Sequence, residues 1–337
     1  MTFGHKATRT HRLAIVTLGA ALAVSGALVS SPASAQFRPG TTASADCIRD
    51  GGVAARGTGR RPDTEQVPAA VARQVQREIA ETASAYRISS SRTGARTTAA
   101  GPAINVPVWI HVIRGKHRGD RVIGRPAAAK MFAQLKYGFN GGQNPAMAAS
   151  GITFLLRGID FRSNDRWFHS APMSAADREM KRDLHRGNGW ALNIYVKGIS
   201  SSFGTLLGYS RFPWQYRANR LLDGVTVNVD SLSGGRLRGY NYGDTVIHET
   251  GHWFGLLHTF EGFPDGCSGI GDGVGDTPAE AIPAAGCPLG RDTCDAAGTD
   301  PVTNFMDYGF DSCMNTFTPG QQARMKAAFL RYRYNVR

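Results

Sequence analysis

Three imidazoles and one carboxylate fall within eleven residues, His248-Glu249-Thr250-Gly251-His252-Trp253-Phe254-Gly255-Leu256-Leu257-His258. The pattern is H-E-x-x-H-x-x-G-x-x-H, the spacing of a catalytic zinc site. On a helix, His248 and His252 lie one turn apart on the same face, so both can aim a ring nitrogen at one ion. Glu249 projects about 100° around the helix from His248, which suits a base working on water better than a ligand. Gly255 can take the positive φ that turns the chain sharply and brings His258 back beneath the helix as a third ligand. Three protein ligands leave a fourth position open, which separates a catalytic zinc site from a structural one. Histidines that only fill a core would not need all four positions at fixed offsets.

These residues need a helix to carry them. It is expected to start near Thr245, with Asp244 as its cap. Upstream, residues 105–113 (NVPVWIHVI) alternate and are rich in branched side chains, so they read as a strand. Residues 152–159 and 191–196 are further strands, and 206–212 and 224–229 are shorter candidates. Met131, Leu135 and Phe139 give residues 127–139 a helical pattern, and Ser174 with Asp177 opens another helix running to about His185. Residues 261–300 are rich in Gly, Pro, Asp and Cys without periodicity, a long irregular loop that needs a stabiliser or a function. The chain closes with a helix: Thr318 caps it, Pro319 takes its first position and Gln321 completes a capping box. Met325, Ala328, Phe329 and Tyr332 then face the core at helical spacing.

The first 35 residues read as a signal peptide. Lys6, Arg9 and Arg12 precede an apolar run from Leu13 to Val29, and Ala33-Ser34-Ala35 offers a cleavage site before Gln36. A membrane anchor is the alternative, disfavoured by Gly19, Gly26 and the small-residue ending. Residues 36–100 carry few large apolar side chains. They hold one amphipathic helix over 68–83, with Val71, Val75 and Ile79 at four-residue spacing, and a flexible linker over 89–98. Such a segment between a leader and an enzyme domain is most simply a pro-segment, leaving 101–337 as the catalytic domain.

The formal charge is +13, of which the leader carries +3 and residues 36–99 carry +4, leaving +6 for the rest. That mild excess is compatible with solubility, and no basic stripe interleaved with aromatics points to nucleic acid. No later stretch is apolar enough to span a membrane. Five cysteines in a secreted chain suggest two disulfides and one thiol left over. Cys267, Cys287, Cys294 and Cys313 crowd the segment after the zinc motif and allow three pairings, whereas Cys47 stands far upstream.

Beyond His258 lies Asn304-Phe305-Met306-Asp307-Tyr308. A methionine in a turn is by itself more often packing than function. With the elongated histidine motif, it makes the chain resemble the metzincin clan of metalloproteases, and within it the secreted microbial branch of the pappalysin family. The residues that carry the likeness are HETGHWFGLLHTF at 248–260, GDGVGDTP at 271–278 and NFMDYGFDSCMNTFTPGQ at 304–321, with weaker support from LGYSRFP at 207–213.

The resemblance implies an α+β, metzincin-like fold of two subdomains flanking a cleft. The upper one, to about 258, would hold a twisted, mostly parallel sheet with a backing helix and the active-site helix. The lower one, 259–337, would be irregular, stapled by Cys267–Cys294 and Cys287–Cys313, and end in the C-terminal helix. It further implies zinc-dependent peptide-bond hydrolysis, with Glu249 as general base and then acid, Tyr308 stabilising the oxyanion, and Met306 forming an apolar floor under the histidines. A protein or peptide substrate would add as an extended strand to the upper edge, expected at 207–212, and Asp311 would offer an acidic pocket for basic side chains. Asp272, Asp276 and Thr277 match a calcium-binding stretch of similar proteins, although solvated loop carboxylates are the bland alternative. Cys47 resembles a pro-segment cysteine that ligates zinc and keeps the enzyme latent, so that the chain's own pro-segment is its inhibitor. It lacks the glycine that often follows such a cysteine, and a free or intermolecular thiol is the other possibility. A different class of function, a non-catalytic zinc-containing binding or adhesion module of the same fold, would be signalled by loss of Glu249 or of a ligand histidine, and none is missing.

Overall fold

In the computed structural model the described residues are 54–57, 67–88, 103–199, 205–262 and 266–334, all of them within one unit, Ala43–Arg337. The expected leader at 1–35, Cys47 and the expected linker at 89–98 lie outside the described residues. The elements are, in order, β1 (Ala54–Gly57), α1 (Ala69–Ala85), β2 (Ile104–Arg114), α2 (Arg125–Phe139), β3 (Ile152–Ser163), α3 (Asp165–Phe168), α4 (Ala175–Leu184), β4 (Leu192–Lys197), β5 (Leu206–Ser210), β6 (Val225–Asn228), α5 (Thr245–Trp253) and α6 (Pro319–Phe329).

Among the described residues the six strands form one sheet in the order β1-β5-β6-β4-β2-β3. The β3, β2, β4 and β6 neighbours run parallel, and β5 is antiparallel to both β6 and β1. A parallel sheet is covered on both faces, and β4 accordingly buries every residue. The alternation along β5 shows what covers each face. Gly208 lies against Glu249 of α5, and its neighbour Tyr209 donates its hydroxyl to Asp177 of α4. Helix α2 backs α5 so closely that a Cβ at Gly138 would stand 2.3 Å from the Ile247 side chain.

The fold is thus mixed α/β, with a mostly parallel sheet, an irregular disulfide-stapled region after α5 and a closing helix. Cys267 pairs with Cys294 and Cys287 with Cys313, with Cα atoms 5.4 and 5.9 Å apart. Thr318 and Gln321 make the capping box at the start of α6, each side chain 3.0 Å from the other's backbone nitrogen. Val71, Val75 and Ile79 of α1 are buried against Ala327, Ala328 and Leu330 around α6.

Two features differ from the sequence expectation. Strand β1 (AARG) lies in a segment for which the sequence suggested only a helix and a linker, and pairs Ala55 with Tyr209 and Arg56 with Gly208 at the sheet's edge. Backbone pairing, not side-chain propensity, makes it a strand. Asp244 does hold the cap position of α5 but makes no side-chain cap bond. Its carboxylate accepts instead from Gln134 Nε2 at 2.7 Å and Gln143 Nε2 at 2.9 Å.

Candidate metal centre

Helix α5 is buried on every side. It stops because Gly255 adopts φ +95°, with Leu256 N–H donating to the Gly251 carbonyl at 3.0 Å. A side chain at 255 would be strained there and would press on Ala328 and Pro213. The turn returns the chain so that the Nε2 of His252 stands 3.1 Å from that of His248 and 3.1 Å from that of His258. All three rings are buried, and Phe260 stacks on His258 at 4.8 Å.

The proton positions follow from the outer nitrogens. His248 Nδ1 lies 2.6 Å from the Phe305 carbonyl and His252 Nδ1 lies 2.8 Å from the Leu256 carbonyl. A carbonyl can only accept, so both Nδ1 atoms carry the hydrogen. Burial pushes His252 down to about 4, with the Leu256 bond opposing, so the ring is neutral at pH 7. The Nε2 of His252 therefore presents a lone pair inward, between the Nε2 atoms of His248 and His258. Lone pairs 3.1 Å apart repel unless a cation lies among them, and Nδ1–H bonds to carbonyls are the usual orienting partners of metal-ligating histidines. The donor set fits a metal ion held by His248, His252 and His258.

Glu249 follows His248 on α5 and is fully buried, its stem pressed on Gly208, where an added Cβ would meet Glu249 Cγ at 2.8 Å. Met306 is fully buried, and its sulfur lies under α5 at Gly251. The turn that presents it is tied to α6: Asn304 accepts from Met306 N–H at 2.9 Å and exchanges amide bonds with Gln321 at 2.9 and 3.1 Å. Tyr308 stands edge-on to His258, ring centres 5.1 Å apart, and 5.9 Å from His248. The structure brings His248, Glu249, His252, His258, Met306 and Tyr308 into one place. Asp272, Asp276 and Thr277 lie elsewhere, beside the start of α6, where Asp276 accepts from Thr318 Oγ1 at 2.7 Å and from Gly320 N–H at 2.8 Å. Burial pushes Asp272 up to about 7 against the bond from Val274 N–H and the charge of Arg324.

A family profile described as Pregnancy-associated plasma protein-A matches residues 176–330. The chain is 38% identical over 273 residues to an "Extracellular metalloprotease" of Sordaria macrospora, covering 78% of this chain and 86% of that protein. The chain belongs to the pappalysin family of metalloproteases. A second pappalysin relative named "Extracellular metalloprotease", from Pyricularia oryzae, is 38% identical over 76% of this chain and 86% of its own length. Mature mirolysin of Tannerella forsythia, solved with a cleaved peptide, superposes with a TM-score of 0.57 at 25% identity, over 69% of this chain and 96% of its own. A promirolysin mutant of the same organism matches at 0.57 and 25%, over 77% and 91%.

Within this pappalysin chain, Asp311 has a structural task that the sequence did not show. The residue is 3% exposed, and its Oδ2 accepts from the backbone N–H of Tyr242, Gly243 and Asp244 at 2.9, 3.1 and 3.4 Å. It therefore ties down the loop leading into α5. Gly251 and Gly208 are the site residues that the sequence reading missed. Gly251 stood in an unassigned motif position, and only the proximity of Met306 and Glu249 gives either glycine a task.

Proposed function

We propose that the protein is a secreted zinc endopeptidase, made as a zymogen, with a leader at 1–35, a pro-segment at 36–100 and a catalytic domain at 101–337. The observation that carries the chemistry is the convergence of three imidazole Nε2 atoms beside the buried Glu249. Zinc on His248, His252 and His258 would polarise the scissile carbonyl and lower the pKa of a water toward about 7. Glu249 takes the proton of the attacking water and passes it to the leaving amine. Tyr308 donates its hydroxyl to the oxyanion. Met306 fills the space beneath the histidines and fixes their height.

The substrate lies extended along β5, adding one strand by backbone hydrogen bonds. Supporting this, the chain's own β1 pairs antiparallel with that strand at Gly208, directly opposite Glu249. An upstream segment on that edge excludes substrate, and a Cys47 thiolate on the zinc would complete the block. The relatives' names support an extracellular location, and no described helix is long and apolar enough to cross a membrane. A calcium ion at Asp272, Asp276 and Thr277 belongs to the same proposal, since hard oxygen donors lie in two successive turns there.

Casein cleavage by the secreted protein, with and without a zinc chelator, tests this. Chelation should abolish cleavage, and Glu249→Ala should lower it by about a hundredfold or more. Full cleavage by Glu249→Ala overturns the mechanism. Cys47→Ser should give a precursor that cuts before processing, and an inert precursor would remove the thiol from the scheme. Thermal midpoints that do not respond to calcium would remove that ion.

A further inference from the structure

We propose that His117, Asp120, Asp165 and His169 form a second metal site, a structural one for a borderline divalent cation such as zinc, that staples the loop after β2 to α3. It lies toward the β3 edge of the sheet, the edge opposite β1. Strands β2 and β3 run parallel with Arg114 opposite Ser163, so both chains leave the sheet at the same end. The loop after β2 supplies His117 and Asp120, three residues apart. Helix α3 opens with Asp165, and His169 caps its end four residues on, over the same face.

One donor atom from each of the four lies within 4.8 Å of the others. His117 Nδ1 is 3.1 Å from His169 Nε2, the same separation found between the imidazoles at His248, His252 and His258. That same His169 Nε2 is 3.2 Å from Asp120 Oδ1 and 3.3 Å from Oδ2. One N–H cannot point at a ring nitrogen and at two carboxylate oxygens at once. A cation accepts from all of them together.

The carboxylates are also held in advance, as ligands with orienting partners are. Asp120 Oδ2 accepts from the His117 backbone at 2.9 Å, and Asp165 Oδ1 from the Lys116 backbone at 2.5 Å. Gly115 leaves room for this, because a Cβ there would stand 2.0 Å from Asp120 Oδ2. Helix α3 is a firm base: Trp167 and Phe168 are buried, and Asn164 caps it by accepting from Trp167 N–H at 3.1 Å. On the other side, Arg236 reaches the Gly119 carbonyl at 2.7 Å and Arg121 the Ser233 carbonyl at 3.2 Å. Two imidazoles and two carboxylates make a four-donor set suited to zinc and its neighbours, not to calcium. Four protein donors also leave no open position, so the ion's task is to hold the loop.

The test is zinc counted by elemental analysis on the dialysed full-length secreted protein. Wild type should hold about two zinc ions per chain, and His117→Ala/His169→Ala about one. That variant should keep its peptidase turnover within about twofold while its thermal midpoint drops by about 5 °C. His252→Ala should also hold about one, which disappears when the His117 and His169 changes are added. A single His117→Gln substitution, the milder change, should weaken cobalt binding and reduce the visible cobalt spectrum of the His252→Ala protein. About one zinc in wild type with none in His252→Ala, or an unchanged load in the double variant, overturns the proposal.

Discussion

The guanidinium of Arg333 lies 3.6 Å from the centre of the Trp253 ring, so the end of the chain sits on the residue that follows His252. The same guanidinium grips Asp223 through two bonds of 2.9 and 3.0 Å, and Asp223 also accepts from the Trp253 indole at 3.0 Å. Both charged side chains are fully buried. Arg333→Ala would strand a buried carboxylate and should cost about 3–5 kcal/mol in urea unfolding. Arg333→Met with Asp223→Leu should recover part of that loss. If the single variant unfolds like wild type, the clamp contributes nothing.

Gly251 and Met306 should behave as one unit. A Cβ at 251 would stand 2.5 Å from the Met306 sulfur, so Gly251→Ala forces one of them to move. We expect a stability loss of about 1–3 kcal/mol from overpacking. Zinc retention should also weaken, because the floor beneath the histidines shifts. Met306→Ala in the Gly251→Ala background should restore room, and equilibrium dialysis of zinc reads the outcome.

Lys197 gives a pH dependence with a defined sign. Burial pushes it from 10.5 down to about 7, with Asp177 opposing and Lys181 reinforcing the drop. Its Nζ donates to the Ser170 and Gly198 carbonyls at 2.6 and 2.9 Å. Between about pH 7 and 10.5 the unfolded lysine holds a proton that the folded one has released. Stability therefore rises with pH across that window, by up to about 1.4 kcal/mol per unit, and is flat below it. Lys197→Met removes this slope. Urea midpoints of both proteins at two pH values inside the window check it, and parallel curves would refute it.

Each disulfide closes a loop, with sequence separations of 27 for Cys267–Cys294 and 26 for Cys287–Cys313. Chain entropy assigns about 3–4 kcal/mol to a loop of that length. Replacing either pair with alanine should lower the denaturation midpoint accordingly. A change below about 1 kcal/mol would mean that the surrounding loop holds its own shape.

What the sequence revealed, and what it concealed, follows the range of the interactions. The histidine motif and the Thr318–Gln321 box are local patterns, in which helical geometry alone sets who meets whom. Strand β2 was legible because its branched residues alternate, and α1 because Val71, Val75 and Ile79 share a face. Strand β1 was not, since AARG becomes a strand only where an unpaired edge is waiting. Asp244 sits where a cap belongs, yet two glutamines more than a hundred residues away claim its carboxylate. Asp311 looked available because its three amide donors come from a loop nearly seventy residues upstream. The four donors at 117, 120, 165 and 169 escape notice for the same reason, two short spacings that gain meaning only when parallel strands bring them together.

The pairing of β1 with β5 also bears on solubility. An edge strand with unsatisfied amides and carbonyls is a template on which any extended chain can add, including another copy of itself. In this protein Ala54–Gly57 occupies that template. A chain trimmed past Gly57 would present β5 bare, so the act that opens the edge to a peptide would also open it to self-association. Precursor and trimmed protein should then part company in concentrated solution, the first staying dispersed and the second needing peptide or dilution to do so.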